Sequence, residues 1–331
     1  MSLVYNNCPI CKNNEFNTFR EVFDDRYGEP NKYNLAKCLK CNHIITYPRL
    51  KSKDLGKLYK NFYPRKDINY KDVLKISKVK KNILYYFINW FQGNNNQGHF
   101  YAKKGENVLD IGCGDCSSLL ILKQLGAEPY GIEADLNIKK ISKDLNLKVH
   151  IGNIEDNPFI GKLFDLIVLN QVMEHIPEPD KALEIIKEKL SANGRIIIVI
   201  PNNDSFWKKV TGFKWINWHI PYHLHHFNKI NFKKMLNRYE FEIINIQTIT
   251  PNIWTILQIR HLLYKAKIGK VNNIWKSNQK AKLPNSKIKI QFRILKIFIK
   301  VFLFFFIGIF NRLIDALRLG DSLMIEAVIR K

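Results

Sequence analysis

The chain has 331 residues, of which 46% are hydrophobic and 25% charged, a composition that is typical of folded domains and excludes wholesale disorder. Its 53 Lys and Arg against 29 Asp and Glu give a net charge of +24, which favours an anionic partner such as nucleic acid, an anionic membrane or a phosphorylated substrate. The N-terminal residues show no basic stretch followed by an apolar one, so we predict no secretory signal and expect a reducing, cytoplasmic location.

The hydrophobic pattern changes twice along the chain. Residues 1–50 contain paired cysteines and few long apolar runs, whereas the apolar spacing in LGKLYKNFY and VLKISKVKKNILYYFINWF predicts helices within residues 51–100. From residue 106, short apolar runs alternate with amphipathic segments, which is typical of βαβ units. We predict strands at residues 107–112, 128–134, 147–152, 164–170, 194–201, 241–249 and 322–330. Helices are predicted over SSLLILKQLG, NIKKISKDL, PDKALEIIKEKL and NKINFKKMLNRY.

These segments suggest an α/β protein whose main domain follows an N-terminal module and contains an insertion before its last strand. We assign residues 1–50 to a small ribbon-like module and residues 51–100 to a helical linker or lid. Residues 101–250 together with 317–331 form the main domain, and residues 251–316 form a basic, Phe-rich helical insertion before the last strand.

The strand NVLDIG leads into a glycine-containing bend. Gly112 and Gly114 allow a ligand to approach bare backbone at a helix N-terminus, and Glu133 ends the next strand, where a carboxylate can bind both hydroxyls of a ribose. A plain βα turn is the alternative. Cys113 and Cys116 also form a CxxC pair, for which a metal or redox role is the alternative to a place in the bend.

Five motifs in order, VLDIGCGD, GIEAD, GNIEDNPF, FDLIVLNQVMEHIPEPDKAL and GRIIIVIPNN, resemble those of class I S-adenosylmethionine-dependent methyltransferases. The resemblance covers about residues 100–250 and the final strand. It implies a seven-stranded, mostly parallel sheet with helices on both faces and an antiparallel last strand. It also implies S-adenosyl-L-methionine as the cofactor. The sequence departs from the family pattern at Cys116, where a small residue is usual, and at Asn153, where an Asp is usual.

The same resemblance implies a place for each cofactor-binding residue. Asp110, Gly112, Cys113 and Gly114 are expected around the amino-acid part of the cofactor, and Glu133 at the ribose. Asn153 and Ile154 are expected to face the adenine, and Asn170 and Gln171 to lie near the sulfonium.

Cys8, Cys11, Cys38 and Cys41 form two CxxC pairs, which predict a closed tetrahedral Zn²⁺ site with a structural role. His43 follows the quartet and is predicted to be a surface residue. The region CPIC…CLKCNHIITYPRL…LYKNFYP resembles the N-terminal zinc module that precedes methyltransferase domains in bacterial sugar and surface-polysaccharide pathways.

Two histidine groups are candidates for the acceptor site. His175 directly follows the fourth strand of the main domain, and WHIPYHLHHF contributes His219, His223, His225 and His226 after the fifth. A histidine can remove a proton from an acceptor hydroxyl near neutral pH, and our ranking of candidate bases is His223, His175, His226. A packed or solvated role for each histidine and metal binding by the cluster are the alternatives.

No acidic residue lies between Glu242 and Asp315, a stretch with thirteen basic residues. Its apolar run, Val301 to Phe310, is too short to span a bilayer, which takes about twenty residues. Phenylalanines flanked by cations instead predict a peripheral contact of residues 285–316 with the inner face of the cytoplasmic membrane; a buried helix or oligomer face is the alternative.

Together these features predict a methyltransferase that acts on a sugar, nucleotide-sugar or lipid-linked glycan in surface-polysaccharide biosynthesis. One alternative is an RNA methyltransferase that uses the zinc ribbon and the basic surface to bind RNA. A non-catalytic scaffold is a further alternative, against which the intact Asp110, glycine bend and Glu133 argue.

Overall fold

The structure is a computed structural model, which describes residues 7–63, 73, 82–95, 97–275 and 290–330. The parts of the predicted helices and of the insertion that fall at residues 64–72, 74–81 and 276–289 lie outside the described residues.

The main domain is built on a seven-stranded sheet whose strands coincide closely with the predicted ones. Its strands are β4 (Asn107–Ile111), β5 (Glu128–Glu133), β6 (Lys148–Ile151), β7 (Phe164–Asn170), β8 (Leu190–Pro201), β10 (Phe241–Ile249) and β11 (Ser322–Ile329). Their order across the sheet is β10-β11-β8-β7-β4-β5-β6. The strands from β8 to β6 are parallel, and β11 is antiparallel to both of its neighbours, as expected.

The central strands are apolar on both faces because helices cover both sides of the sheet. Residues 166–169 of β7 and 196–200 of β8 are buried without interruption, which is the pattern of parallel strands inside an α/β domain. The helices of this domain are α3 (Ser117–Gln124), α4 (Ile138–Asp144), α5 (Pro179–Lys189), α6 (Phe206–Thr211) and α7 (Lys229–Arg238). The predicted fold is therefore confirmed.

The N-terminal segment forms a second, four-stranded antiparallel sheet. It contains β1 (Phe16–Phe23), β2 (Lys32–Cys38) and β3 (Ile44–Tyr47), and its fourth strand is β9 (His225–His226) from the histidine-rich segment. Ile44 pairs with His226 and Ile45 with His225. The N-terminal sheet is thus completed by residues that follow it by about 180 positions, which joins it directly to the main domain.

Three further helices flank these sheets: α1 (Ser52–Asn61), α2 (Ile83–Gln92) and α8 (Asn252–Leu262). The insertion ends in the long helix α9 (Ile290–Ala316). Its C-terminal part is fixed by a buried polar network in which the Asn311 side chain donates to Asn252 Oδ1 (2.8 Å) and accepts from Thr255 Oγ1 (2.8 Å). Rings of α9 also pack on Phe91 of α2. None of the helices in the described part of the chain is long and apolar enough to cross a membrane.

Candidate active site

The glycine bend after β4 leaves bare backbone at the carboxyl edge of the sheet. Gly112 has φ 75°, donates its N–H to Ile132 O (2.7 Å), and has no room for a Cβ, which would collide with Val172 Cγ2. Gly114 has φ 53°, and a Cβ there would meet no other described atom within 4 Å. One glycine is therefore required by packing against the segment after β7, whereas the other borders open space.

Glu133 lies beside this bend at the end of β5. Its Oε2 accepts from the N–H of Gly114 (2.9 Å), and its Oε1 accepts from the N–H of Asp135 (2.9 Å). Burial raises the pKa of Glu133, and the backbone donors oppose that rise. A carboxylate oxygen offers two acceptor positions, so each oxygen can accept a further hydrogen bond from a diol.

Asp110 and Cys113 lie beneath the bend and are buried. Oδ1 of Asp110 has no hydrogen-bond partner among the described residues, and burial raises the pKa of this carboxyl to about 7. The N–H of Cys113 donates to Ile132 O (3.2 Å). An unpaired buried acceptor next to open glycine backbone fits the ammonium group of an amino-acid ligand.

The remaining predicted cofactor residues lie at the same edge of the sheet. Asn153 is exposed and Ile154 is buried, directly after β6. Asn170 ends β7, where its Oδ1 accepts from the N–H of Gly98 (2.7 Å). Gln171 has φ 55° and donates its backbone N–H to Val199 O (2.8 Å). The carboxyl ends of β7, β4, β5 and β6, which carry these residues, thus lie side by side at one edge of the sheet, which we call the cofactor cleft.

The segment after β7 brings Glu174 and His175 close to His223. Glu174 Oε1 lies 3.9 Å from His223 Nε2 and 4.0 Å from His175 Nε2. Burial raises the pKa of Glu174 to about 8 and lowers the pKa of His175 to about 4. It also lowers the pKa of His223 well below its ordinary value, so both histidines are neutral at pH 7.

Four tyrosines surround these histidines, and the sequence analysis did not assign them to the site. Their rings are 5.0 to 5.6 Å from one another in five pairs, formed by Tyr27, Tyr59, Tyr63 and Tyr222. Tyr59 OH lies 3.0 Å from His175 Nδ1. The four-residue spacing of Tyr59 and Tyr63 in LYKNFY was the available signal, because residues four apart lie on one side of a helix; in the structure α1 ends at Asn61, and Tyr63 follows it.

His225 and His226 take a different place from His175 and His223. Both lie in β9, where His226 Nε2 is 3.1 Å from Thr46 Oγ1 and His225 Nδ1 is 3.3 Å from His43 Nε2. The prediction of a surface position for His43 is wrong, since it is fully buried and stacks on Phe227. These three histidines contact the junction of the two sheets.

The four predicted metal ligands converge at the tip of the N-terminal sheet. Cys8 Sγ lies 3.5 Å from Cys41 Sγ, Cys11 Sγ lies 3.5 Å from Cys38 Sγ, and all four sulfurs lie within 4.8 Å of one another. The two turns repeat one backbone pattern: Lys12 N donates to Cys8 O (2.8 Å), and Asn42 N donates to Cys38 O (2.9 Å). Four thiolates about 2.3 Å from one zinc ion stand roughly 3.8 Å apart, so this donor set fits Zn²⁺.

Comparison with known proteins gives matches to the main domain. A family model described as a methyltransferase domain matches residues 93–246. Two uncharacterized proteins of Methanocaldococcus jannaschii are 36% and 30% identical over 88 and 154 residues, which are 25% and 46% of this chain and 43% and 67% of the relatives. The ubiquinone biosynthesis O-methyltransferase of Cereibacter sphaeroides is 26% identical over 134 residues, 38% of this chain and 54% of that enzyme.

The chain spans about half the length of the curated relatives that it matches, between 43% and 67%. The matched family region contains the glycine bend, Glu133 and five complete strands of the seven-stranded sheet, β4 to β8. Because that region matches a methyltransferase domain and its strands lie in one sheet in the order of that fold, the main domain of this chain is a class I S-adenosylmethionine-dependent methyltransferase domain.

Proposed function

We propose that this protein transfers a methyl group from S-adenosylmethionine to a sugar, a nucleotide-sugar or a lipid-linked glycan. The cofactor, when bound, supplies an already activated methyl group, so the protein has to position the acceptor and exclude water. The observation that carries the proposal is the direct contact between the two halves of the site. Val172 packs on Gly112 of the bend, and three residues later the ring of His175 lies 6.4 Å from that of Tyr59 in the tyrosine cluster.

In this proposal the cofactor is held by the residues at the carboxyl edge of the sheet. Asp110, Cys113 and the two glycines face its amino-acid part, and Glu133 accepts hydrogen bonds from its ribose. Asn153 and Ile154 contact the adenine, and Asn170 and Gln171 border the reacting methyl group. The open space at Gly114 and the unpaired Oδ1 of Asp110 support this placement.

We propose that the acceptor binds beside the tyrosine cluster, in what we call the acceptor pocket, because this cluster suits a polyhydroxylated acceptor. Tyrosine rings present an apolar face to the C–H face of a sugar, while their hydroxyls bond to sugar oxygens. The hydroxyl of Tyr222 is buried and has no partner in the described part of the chain. Unprotonated nitrogens of His175 and His223 border the pocket and can accept a proton from an acceptor hydroxyl. For His226 we propose a positioning role, because Thr46 Oγ1 contacts it and also donates to His223 O (2.7 Å).

We further propose that the four cysteines bind a structural Zn²⁺ ion. With four protein ligands such a site has no open position for a substrate. Because β3 pairs with β9, a zinc ion that orders the N-terminal sheet also supports the histidine-rich segment that follows the pocket.

An exposed apolar surface on α2 and α9 supports a lipid-linked acceptor. We call it the apolar surface; its exposed members are Ile83, Leu84, Tyr86, Phe87, Ile88, Trp90, Leu303, Phe305, Ile309 and Leu313. Its α9 members lie in the stretch between Glu242 and Asp315, which has thirteen basic and no acidic residues. Apolar side chains combined with surrounding cations complement an anionic lipid headgroup layer, and we propose that this surface rests on one.

Radiolabelled methyl transfer tests the function directly. Purified protein is incubated with methyl-labelled S-adenosylmethionine and with RNA, lipid and polysaccharide fractions of the source cells, and the Glu133→Ala variant serves as the control. We expect label in the glycan or glycolipid fraction, and none with the variant. Label confined to RNA would instead support an RNA methyltransferase, which the net charge of +24 favours.

A further inference from the structure

The side chains of Glu174, His175 and His223 converge on a single point beside the cofactor cleft. Their nearest oxygen and nitrogen atoms all lie within 4.8 Å of one another. Glu174 and His175 belong to a short 3₁₀ turn after β7, and His223 comes from the segment before β9. Two separate parts of the chain therefore supply the three groups.

The hydrogen bonds of the two histidines fix which nitrogen carries the proton. Nδ1 of His175 lies 2.9 Å from Tyr222 O, and Nδ1 of His223 lies 2.8 Å from Asn217 O. A backbone carbonyl only accepts, so each Nδ1 is the protonated donor and each neutral ring keeps a lone pair on Nε2. Those Nε2 atoms are the ones that face Glu174. Histidines that bind metals are held in this way, with the other ring nitrogen donating to a carbonyl or carboxylate.

The carboxyl group of Glu174 has no hydrogen-bond partner in the described part of the chain. Its side chain is fully buried. A proton on the carboxyl would not pair it with the histidines, since 3.9 and 4.0 Å are too long for a hydrogen bond. Two ligand atoms that are each about 2.1 Å from one ion in tetrahedral geometry are roughly 3.4 Å apart, so the carboxylate has to move closer to each imidazole by about half an ångström when a common cation binds.

We propose that Glu174, His175 and His223 bind a divalent transition-metal ion, at a site separate from the four cysteines. Two imidazoles and one carboxylate are a donor set for ions such as Mn²⁺, Fe²⁺ or Zn²⁺, whereas Mg²⁺ and Ca²⁺ prefer oxygen ligands alone. Three protein ligands leave positions open for water or an acceptor oxygen. With the ion bound, His175 and His223 are ligands and no longer bases, and the ion itself would lower the pKa of an acceptor hydroxyl. That role rests on the proposed function; binding of the ion does not.

Binding of the ion breaks one hydrogen bond, that between His219 and His223. His219 Nδ1 lies 3.3 Å from His223 Nε2, and since that nitrogen carries no proton, His219 donates to it. The metal takes the same lone pair. Removing this competing donor, as in His219→Phe, should therefore leave metal binding intact, in contrast to removal of any of the three ligands.

The test counts metal ions on the full chain. Elemental analysis gives the ions already bound, and electron paramagnetic resonance of free Mn²⁺ then follows titration of the zinc-loaded protein with MnCl₂. Glu174→Gln and His223→Gln remove ligands with little change of shape. His261→Asn is the matched control, because His261 is also buried against a carboxylate, that of Asp25 at 3.0 Å, and is not one of the three proposed ligands.

We expect one ion per chain in addition to that of the cysteines, either Mn²⁺ or a second zinc. Glu174→Gln and His223→Gln should each weaken its binding by more than the roughly 10–100-fold typical of a lost outer-shell partner. His261→Asn and His219→Phe should retain it. Absence of the second ion from the unaltered protein, or unchanged affinity in both ligand variants, would overturn the proposal. Calorimetric titration with S-adenosylhomocysteine separates this outcome from a failure of the proposed function, since the cofactor cleft does not use these three side chains.

Discussion

Glu133 Oε2 accepts a hydrogen bond from the backbone N–H of Gly114 at 2.9 Å, which ties the end of β5 to the bend after β4. The donor and the acceptor both face the cofactor cleft. The bond therefore holds the carboxylate where a ribose diol can reach it, before any ligand is present.

Replacing Glu133 by Gln should weaken binding of S-adenosylhomocysteine by about 10–100-fold, because hydrogen bonds to a charged group contribute about 1.5–3 kcal/mol. Isothermal titration calorimetry measures this directly. Glu128→Gln is the control at the other end of the same strand, where the carboxylate pairs with Lys148 on the surface (2.7 Å). Equal affinities of the two variants would exclude the diol contact.

The two glycines of the bend should respond differently to alanine. Gly112→Ala places a Cβ against Val172, so we expect a loss of unfolding free energy of about 1–3 kcal/mol from overpacking, besides about 1 kcal/mol of backbone strain. Gly114→Ala has only the strain, but its Cβ enters the space assigned to the cofactor. Urea denaturation and calorimetry should therefore show that the first variant mainly loses stability and the second mainly loses cofactor affinity. Similar stability of both variants would contradict the packing contact.

Cofactor affinity should depend on pH through Asp110. Burial raises the pKa of this carboxyl to about 7, so below pH 7 it is protonated in the free protein and has to lose a proton to pair with the ligand's ammonium group. The dissociation constant of S-adenosylhomocysteine should fall as pH rises through 7, by up to about tenfold per unit below that value. Asp110→Asn should flatten the profile between pH 5.5 and 8, values that bracket the pKa of about 7. A pH-dependent slope that survives in this variant would assign the proton to another group.

Zinc removal should destabilise the N-terminal sheet and the segment attached to it. We expect Cys41→Ser to abolish the four-thiolate site and to lower the melting temperature, since binding energy at a structural zinc site is folding energy. Cys113→Ser, which alters the other CxxC pair, should keep that zinc ion. Atomic absorption measures the zinc content of the Cys41→Ser and Cys113→Ser variants, and thermal denaturation measures their melting temperatures. Equal zinc content in both variants would show that the cysteine quartet is not the zinc site.

The apolar surface should carry the protein to anionic liposomes. Phe87→Glu combined with Ile309→Glu introduces charge into its two helices, at positions that are 57% and 56% exposed. We expect the double variant to lose flotation with vesicles of phosphatidylglycerol. Ile160→Glu, at a position that is 91% exposed outside these helices, should float like the unaltered protein. If the double variant still floats with the vesicles, the apolar surface is not the membrane contact.

The hydrophobic pattern was sufficient for the seven-stranded sheet because short apolar runs recur between amphipathic segments. Four of its strands, β4, β7, β8 and β11, contain at least four consecutive buried residues. The same reasoning could not find β9, whose two histidines form a strand only through pairing with Ile44 and Ile45. For that reason His43 was expected at the surface, although the junction buries it.

The sequence analysis missed the cluster of four tyrosines for a related reason. Tyr27 is positioned by Asp24, whose carboxylate accepts from the N–H groups of Arg26, Tyr27 and Glu29, and no sequence period records such a loop. Residues from separate parts of the chain meet there only in the folded protein. By contrast, the glycine bend and its carboxylate lie within a single βαβ unit, where local spacing predicts their proximity.

The most direct test of the cofactor site is a crystal structure of this protein grown with S-adenosylhomocysteine. We predict the nucleoside in the cleft between β4 and β5, with its ribose hydroxyls on Glu133 and its adenine beside Asn153 and Ile154. A cleft that stays empty at saturating ligand, or a ligand bound with Glu133 turned away from it, would contradict the assignment.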